Sequence, residues 1–327
     1  MSGLSFIRKT LLSLSPREAL FERRGFVPID PIVQGKLEQV IRIFIEGYNA
    51  SLELDGEELA KALNANYSDQ SVGFAYEGVG LYLGLLDLLL PGKKSRLNAF
   101  CTGIGARHEY IISVGAGFAL ARVPYGAKRL RNYMKRLDPL LAWCLADGYG
   151  FHEGIFKHQS YIDQQQEIPE VLDPELHQLF NSGIGRSLWW VKGADPKRIK
   201  PAINKFPKAR RPELWCGVGL ACAYAGGIRK ENIPALLHAA GTYASDFLSG
   251  IPFACRMRQR GQNHSQWTSH LSEEYLNRSV DEAADWVMDI MRKALDSLPV
   301  DEMQGVRAYR IIREELIKEP YQVQITV

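Results

Sequence analysis

Five residues stand immediately before the Gly-x-Gly pairs that recur periodically in this chain: Glu77, Val114, Asp147, Ser182 and Cys216. Four of them are potential ligands, nucleophiles or proton carriers. If the pairs mark one repeated unit, stacking the units would align these positions in a column. Two His-Glu dipeptides, His108-Glu109 and His152-Glu153, lie beside the second and third pairs. Helical scaffolds build carboxylate and imidazole sites from facing helices, as metal ligands or as an acid/base couple. Glu77, His108, Asp147, His152 and Glu153 are therefore the candidate catalytic or ligating groups. Neither H-E-x-x-H nor E-x-x-H occurs, and His152 and His158 point to different faces of a regular helix, so a metal stays an open alternative. The same groups also suit a structural role, closing a core through hydrogen bonds.

Arg186, directly after Gly185, is the candidate contact for an anionic part of a substrate. Tyr76, Tyr149 and Trp189 are candidate substrate contacts among a larger set of aromatics in or beside the repeated segments, which includes Phe118, Phe151, Phe156, Trp190 and Trp215. Such a set suits a flat polyene or an isoprenoid, and equally a packed core. Two basic clusters, Lys205/Lys208/Arg210/Arg211 and Arg256/Arg258/Arg260, suit either an anion or a solvated face. RGQNHSQWTSH, at 260–270, reads as one polar loop that could line a site or cap the next helix. The chain has no Walker A sequence, no G-x-S-x-G elbow and no D-D-x-x-D, which argues against a P-loop nucleotide site, an esterase and an ionising terpene cyclase.

The elements that must position these residues follow from the glycines. The pairs Gly78/Gly80, Gly115/Gly117, Gly148/Gly150, Gly183/Gly185 and Gly217/Gly219 recur at intervals of 37, 33, 35 and 34 residues, while Gly103/Gly105 falls outside the period. A period in this range marks stacked helical hairpins. Glycine at the same place in each unit lets helix backbones approach closely, at about 1 kcal/mol of helix propensity relative to alanine. Apolar residues at helical spacing predict helices over about 33–52, 74–90, 95–101, 105–122, 126–136, from Pro139 onward, through 187–191, and near 213–226, 231–249 and 280–297. Residues 158–174 read as a polar loop that the period survives. The expected fold is all-α, with stacked antiparallel helix pairs in a single domain over 1–327, a basic N-terminal helical arm over 1–30 and an extended tail over 321–327.

The chain has 327 residues, 46% hydrophobic and 24% charged, with a net charge of +3. That is ample material for a core and too little charge to argue for nucleic acid. Five scattered cysteines without C-x-x-C favour a reduced, cytoplasmic setting. The longest apolar stretch, Val79 to Leu90, carries Asp87 and is shorter than a bilayer-spanning helix requires. No signal peptide is read at the N-terminus; its basic amphipathic character permits a peripheral membrane contact or packing on its own domain.

AYEGVG (75–80), RHEYIISVGAGFALARV (107–123), LDPLLAWCLADGYGFHEG (137–154), GIGRSLWWVKGADPKRI (183–199) and FPKARRPELWCGVGLACAYAGG (206–227) together resemble the UnbL family, encoded in enediyne polyketide clusters and other bacterial gene sets. The resemblance covers nearly the whole chain. It implies an accessory role around a hydrophobic, polyunsaturated intermediate, in clusters that also encode a polyene-making synthase and an integral membrane protein. It transfers no catalytic residue.

Two expectations follow. In the first, an accessory protein of enediyne-type polyketide or related hydrophobic-metabolite biosynthesis holds a polyene-like small molecule in a helix-lined cavity, with or without acting on it. In the second, a non-catalytic helical-repeat scaffold docks a membrane or a multi-protein biosynthetic partner. A closed pocket gathering the polar groups would favour the first, and an open groove the second.

Overall fold

The computed structural model describes residues 12–27, 30–90, 92, 95–319 and 321. Residues 1–11 of the expected basic arm and 322–327 of the expected tail lie outside these residues. Seventeen α-helices and no strand occur among the described residues. In chain order they are α1 (Phe21–Arg24), α2 (Pro31–Ser51), α3 (Gly56–Asn66), α4 (Asp69–Leu89), α5 (Arg96–Cys101), α6 (Glu109–Arg122), α7 (Gly126–Met134), α8 (Pro139–Phe156), α9 (His177–Val191), α10 (Pro196–Asn204), α11 (Arg211–Ala225), α12 (Ile233–Ala240), α13 (Ala244–Leu248), α14 (Ile251–Gly261), α15 (Gln266–Leu276), α16 (Val280–Ser297) and α17 (Gln304–Lys318).

Local chemistry sets many of the boundaries. The Asp30 carboxylate accepts from the backbone N–H groups of Ile32 and Val33 at 2.9 and 3.2 Å, with Pro31 in the first turn of α2. Ser279 and Glu282 form a reciprocal capping box at the start of α16. Gly241, at φ 56°, breaks the helix expected over 231–249 into α12 and α13. The segment expected as a single polar loop at 260–270 is mostly helical. Ser265 caps α15 by accepting from the Thr268 N–H, leaving only a short turn after α14.

The glycine period is the register of a row of helices, α2, α4, α6, α8, α9 and α11, that continues into α13 and α14. Residues two apart on a helix are about 200° apart around its axis, so the two glycines of a pair face opposite neighbours. A Cβ on Gly80 would overlap the Ile112 carbonyl of α6, and one on Gly78 the Phe44 carbonyl of α2. The rule repeats along the row. The first glycine of each later pair meets the backbone of the residue just before the preceding pair's first glycine: Gly115 on Glu77, Gly148 on Val114, Gly183 on Asp147, Gly217 on Ser182. Residue numbers fall along one helix as they rise along its neighbour, so neighbours are antiparallel. Two single glycines complete the series at its ends, Gly47 against Ala75 and Gly250 against Cys216.

The row curls. Phe74 of α4 packs on Tyr224 of α11 with ring centroids 5.3 Å apart, and the Trp190 indole of α9 donates to the Leu37 carbonyl of α2 at 3.3 Å. An enclosed space results in place of an open solenoid groove. The later helices wrap the outside, with Tyr309 of α17 stacked on Trp143 of α8 and Phe253 of α14. α4, at 21 residues, is long and apolar enough to cross a membrane, but 72% of its most apolar window is buried inside the protein. That burial accounts for its composition. All five cysteines are free and buried.

Candidate functional site

Six helices of the row line one narrow cavity of about 60 Å³ with an outer end open to solvent. Each contributes residues at helical spacing: Val40, Ile41, Phe44 and Ile45 from α2, Phe74 and Glu77 from α4, Phe118 and Arg122 from α6, Phe151, Ile155 and Phe156 from α8, Arg186 and Trp190 from α9, and Ala221, Tyr224 and Ala225 from α11. Glu77, Phe151 and Arg186 are buried, whereas Leu14, Arg24 and Phe156 are half-buried and Arg122 is exposed. The cavity therefore has a polar inner end, aromatic walls and a basic mouth.

At the inner end Asp147 pairs with Arg186 and accepts from the Ser182 hydroxyl at 2.9 Å. The Arg186 guanidinium also lies over the Phe151 ring, 4.5 Å from its centroid. Burial alone would lower the Arg186 pKa, but Asp147 and Glu77 outweigh it and raise it, so the guanidinium stays charged. Glu77 has no such direct partner. Its Oε1 and the Arg186 Nε make no hydrogen bond among the described residues. Burial pushes the Glu77 carboxyl up to about 7 against an ordinary 4.5, with Arg186 pulling it down and Asp147 pushing it up.

The structure thus brings together three candidates from the sequence, Glu77, Asp147 and Arg186, and separates the rest. His152 is buried outside the lining, stacked on Phe156 at 4.4 Å, with Nδ1 3.3 Å from Glu153. Burial holds its pKa down to about 4, so it is neutral at neutral pH. Glu153 is occupied by Lys157 at 2.7 Å. His108 stacks on Tyr76 at 4.2 Å, away from the cavity lining, and burial lowers it to about 4 as well. Tyr76, Tyr149 and Trp189 are core residues rather than lining; the Trp189 indole donates to the Gly226 carbonyl at 2.9 Å. No three His, Cys, Asp or Glu side chains converge to hold an ion among the described residues, so Glu77, His108 and His152 do not form one metal cluster.

The basic clusters are mostly engaged in structure. Arg258 donates to the carbonyls of Gln70 and Tyr224 at 2.6 Å each, Arg260 pairs with Glu109 at 2.7 Å, and Arg210 donates to Asn181 at 2.8 Å. Residues missed from sequence are Phe44, Phe74 and Tyr224 on the walls and Arg24 and Arg122 at the mouth. A stripe reading of α9 could have found part of the site, because Ser182, which donates to Asp147, and the lining residues Arg186 and Trp190 fall at i, i+4 and i+8.

A family model described as a protein of unknown function, DUF1702, matches residues 3–319. The chain belongs to the DUF1702 family. No curated protein matches it, and no solved structure does. The DUF1702 match spans every helix of the glycine row and all the lining residues of the cavity.

Proposed function

We propose that this DUF1702 protein is an accessory protein of enediyne-type polyketide or related hydrophobic-metabolite biosynthesis that holds a polyene-like chain in its central cavity. The observation that carries this reading is an aromatic-walled cavity ending on a buried carboxyl oxygen and a guanidinium N–H, both without a hydrogen-bond partner among the described residues. Apolar walls with a few convergent polar groups are the usual form of a small-molecule site. The strings that resemble the UnbL family supply the biosynthetic setting, and the enclosure supports a ligand cavity over an open docking groove.

The inner end has a definite chemical capacity. A carboxyl poised near neutrality can take a proton from a carbon beside a carbonyl and return it farther along a conjugated chain. The Arg186 Nε–H can stabilise charge developing on that carbonyl oxygen. Such a double-bond shift balances without an oxidant or reductant: one C–H bond breaks, another forms, and Glu77 carries the proton between them.

Native mass spectrometry on untagged protein, with fluorescence titration of a conjugated tetraenoic fatty acid, tests the reading. The wild type is expected to retain or bind a hydrophobic molecule. Ala221→Trp, which fills the cavity from α11, should weaken binding roughly tenfold or more. A wild type that neither retains nor binds such a chain would return the choice to the scaffold.

A further inference from the structure

We infer that the mouth of the cavity is a head-group subsite for an anion, so that the ligand is an amphiphile with its carboxylate outward and its conjugated chain, with any keto group that chain carries, directed at Glu77 and Arg186. This rests on the cavity being a ligand site and adds the class and direction of the ligand.

Two guanidiniums meet at the mouth. Arg24 and Arg122 both lie over the Phe156 ring, 4.3 and 4.7 Å from its centroid. Both line the cavity, and both come from elements that the fold brings there separately. Arg122 is the last residue of α6. Arg24 ends α1, which is held on α2 by the Phe21 N–H donating to Glu38 at 2.8 Å and by a reciprocal pair of 2.9 Å hydrogen bonds between Leu14 and Asn49. Their charges are unequally balanced. Arg24 pairs with Glu18 at 3.2 Å and donates to its backbone carbonyl at 2.8 Å, whereas Arg122 makes no ion pair among the described residues. Burial lowers the Arg24 pKa, Glu18 opposes this, and Arg122 lowers it again, as expected for two cations crowded together. Glu18 is shared with the exposed Arg23 at 3.1 Å, so positive charge is in excess where an apolar channel meets water.

That balance selects the head group. A carboxylate matches the planar pair of donors on the Arg122 guanidinium. A diphosphate would need further cations or a metal, and no group of acidic or imidazole ligands converges among the described residues. The inner end cannot take the anion instead, because Arg186 is already neutralised by Asp147 and faces the Glu77 carboxyl. Chain inward and carboxylate outward places the anion at the positive mouth.

The test compares a fluorescent conjugated tetraenoic fatty acid with its methyl ester, titrated into wild type, Arg122→Gln and Arg122→Glu. The wild type is expected to bind the acid roughly tenfold tighter than the ester, a preference that salt diminishes. Arg122→Gln should abolish the preference by weakening the acid roughly tenfold more than the ester, and Arg122→Glu should favour the corresponding alkylamine over the acid. Thermal unfolding of each variant serves as the folding control. Equal binding of acid and ester by the wild type overturns the head-group assignment and leaves the cavity reading standing, as does an equal loss of both ligands in Arg122→Gln. If the wild type binds neither, the cavity reading falls and this assignment with it.

Discussion

Glu77 illustrates what burial does to one residue. Its carboxyl is held near 7 in the folded protein against an ordinary 4.5. The folded state therefore keeps its proton to higher pH than the unfolded chain does. No penalty exists below the unfolded pKa. Stability then falls as pH rises from about 4.5 toward 7, by a total on the order of 3 kcal/mol. Glu77→Gln removes this dependence. In denaturant titrations from about pH 5 to about pH 8, the variant should gain steadily on the wild type, and a constant difference would show that Glu77 is ionised throughout. Glu77, Asp147 and Arg186 were legible because their register with the glycines marked them. Nothing local to Arg24 and Arg122 tied them to each other, since they are 98 positions apart in the chain and meet only on Phe156.

At the level of elements, the glycine row makes opposite predictions for the same chemical change. Gly35, in α2, has open space where a Cβ would stand, whereas Gly150, in α8, abuts the Phe180 backbone. Gly35→Ala should stabilise the protein by up to about 1 kcal/mol through helix propensity. Gly150→Ala must push α8 and α9 apart and should cost about 1–3 kcal/mol or more. Thermal unfolding of the two variants checks both signs, and stabilisation by Gly150→Ala would show that the helices have room to spare. The repeat was readable because close helix contact demands glycine at fixed spacing. Its two end members were not, because Gly47 and Gly250 are single glycines whose partners lie on neighbouring helices. α3 and α17 carry no such mark, as polar amphipathic helices whose buried faces are defined only by what they pack against.

For the molecule as a whole, the C-terminal helix is locked down by a buried ion network. Arg313 of α17 reaches Glu213 of α11 at 3.3 Å, Asp246 of α13 at 3.0 Å, and Ser249, while the Tyr309 hydroxyl donates to Glu213 at 3.0 Å. Burial raises the Glu213 pKa against the pull of Arg313 and Tyr309, so removing Arg313 strands a carboxylate in the core. Arg313→Ala should cost about 3–5 kcal/mol, and Arg313→Ala with Glu213→Gln distinctly less than the single change, as measured by denaturant unfolding. Additive losses would mean that the two groups do not share one network. The amino-acid sequence alone determined the all-α class, the repeat and its period, because helical spacing and the steric demand for glycine are written residue by residue. Only the tertiary structure decided that the row curls shut, which residues face the enclosed space, and that two distant arginines guard its mouth. Those outcomes depend on how antiparallel helices cross and which termini meet, and no local pattern encodes an angle between elements far apart in the chain.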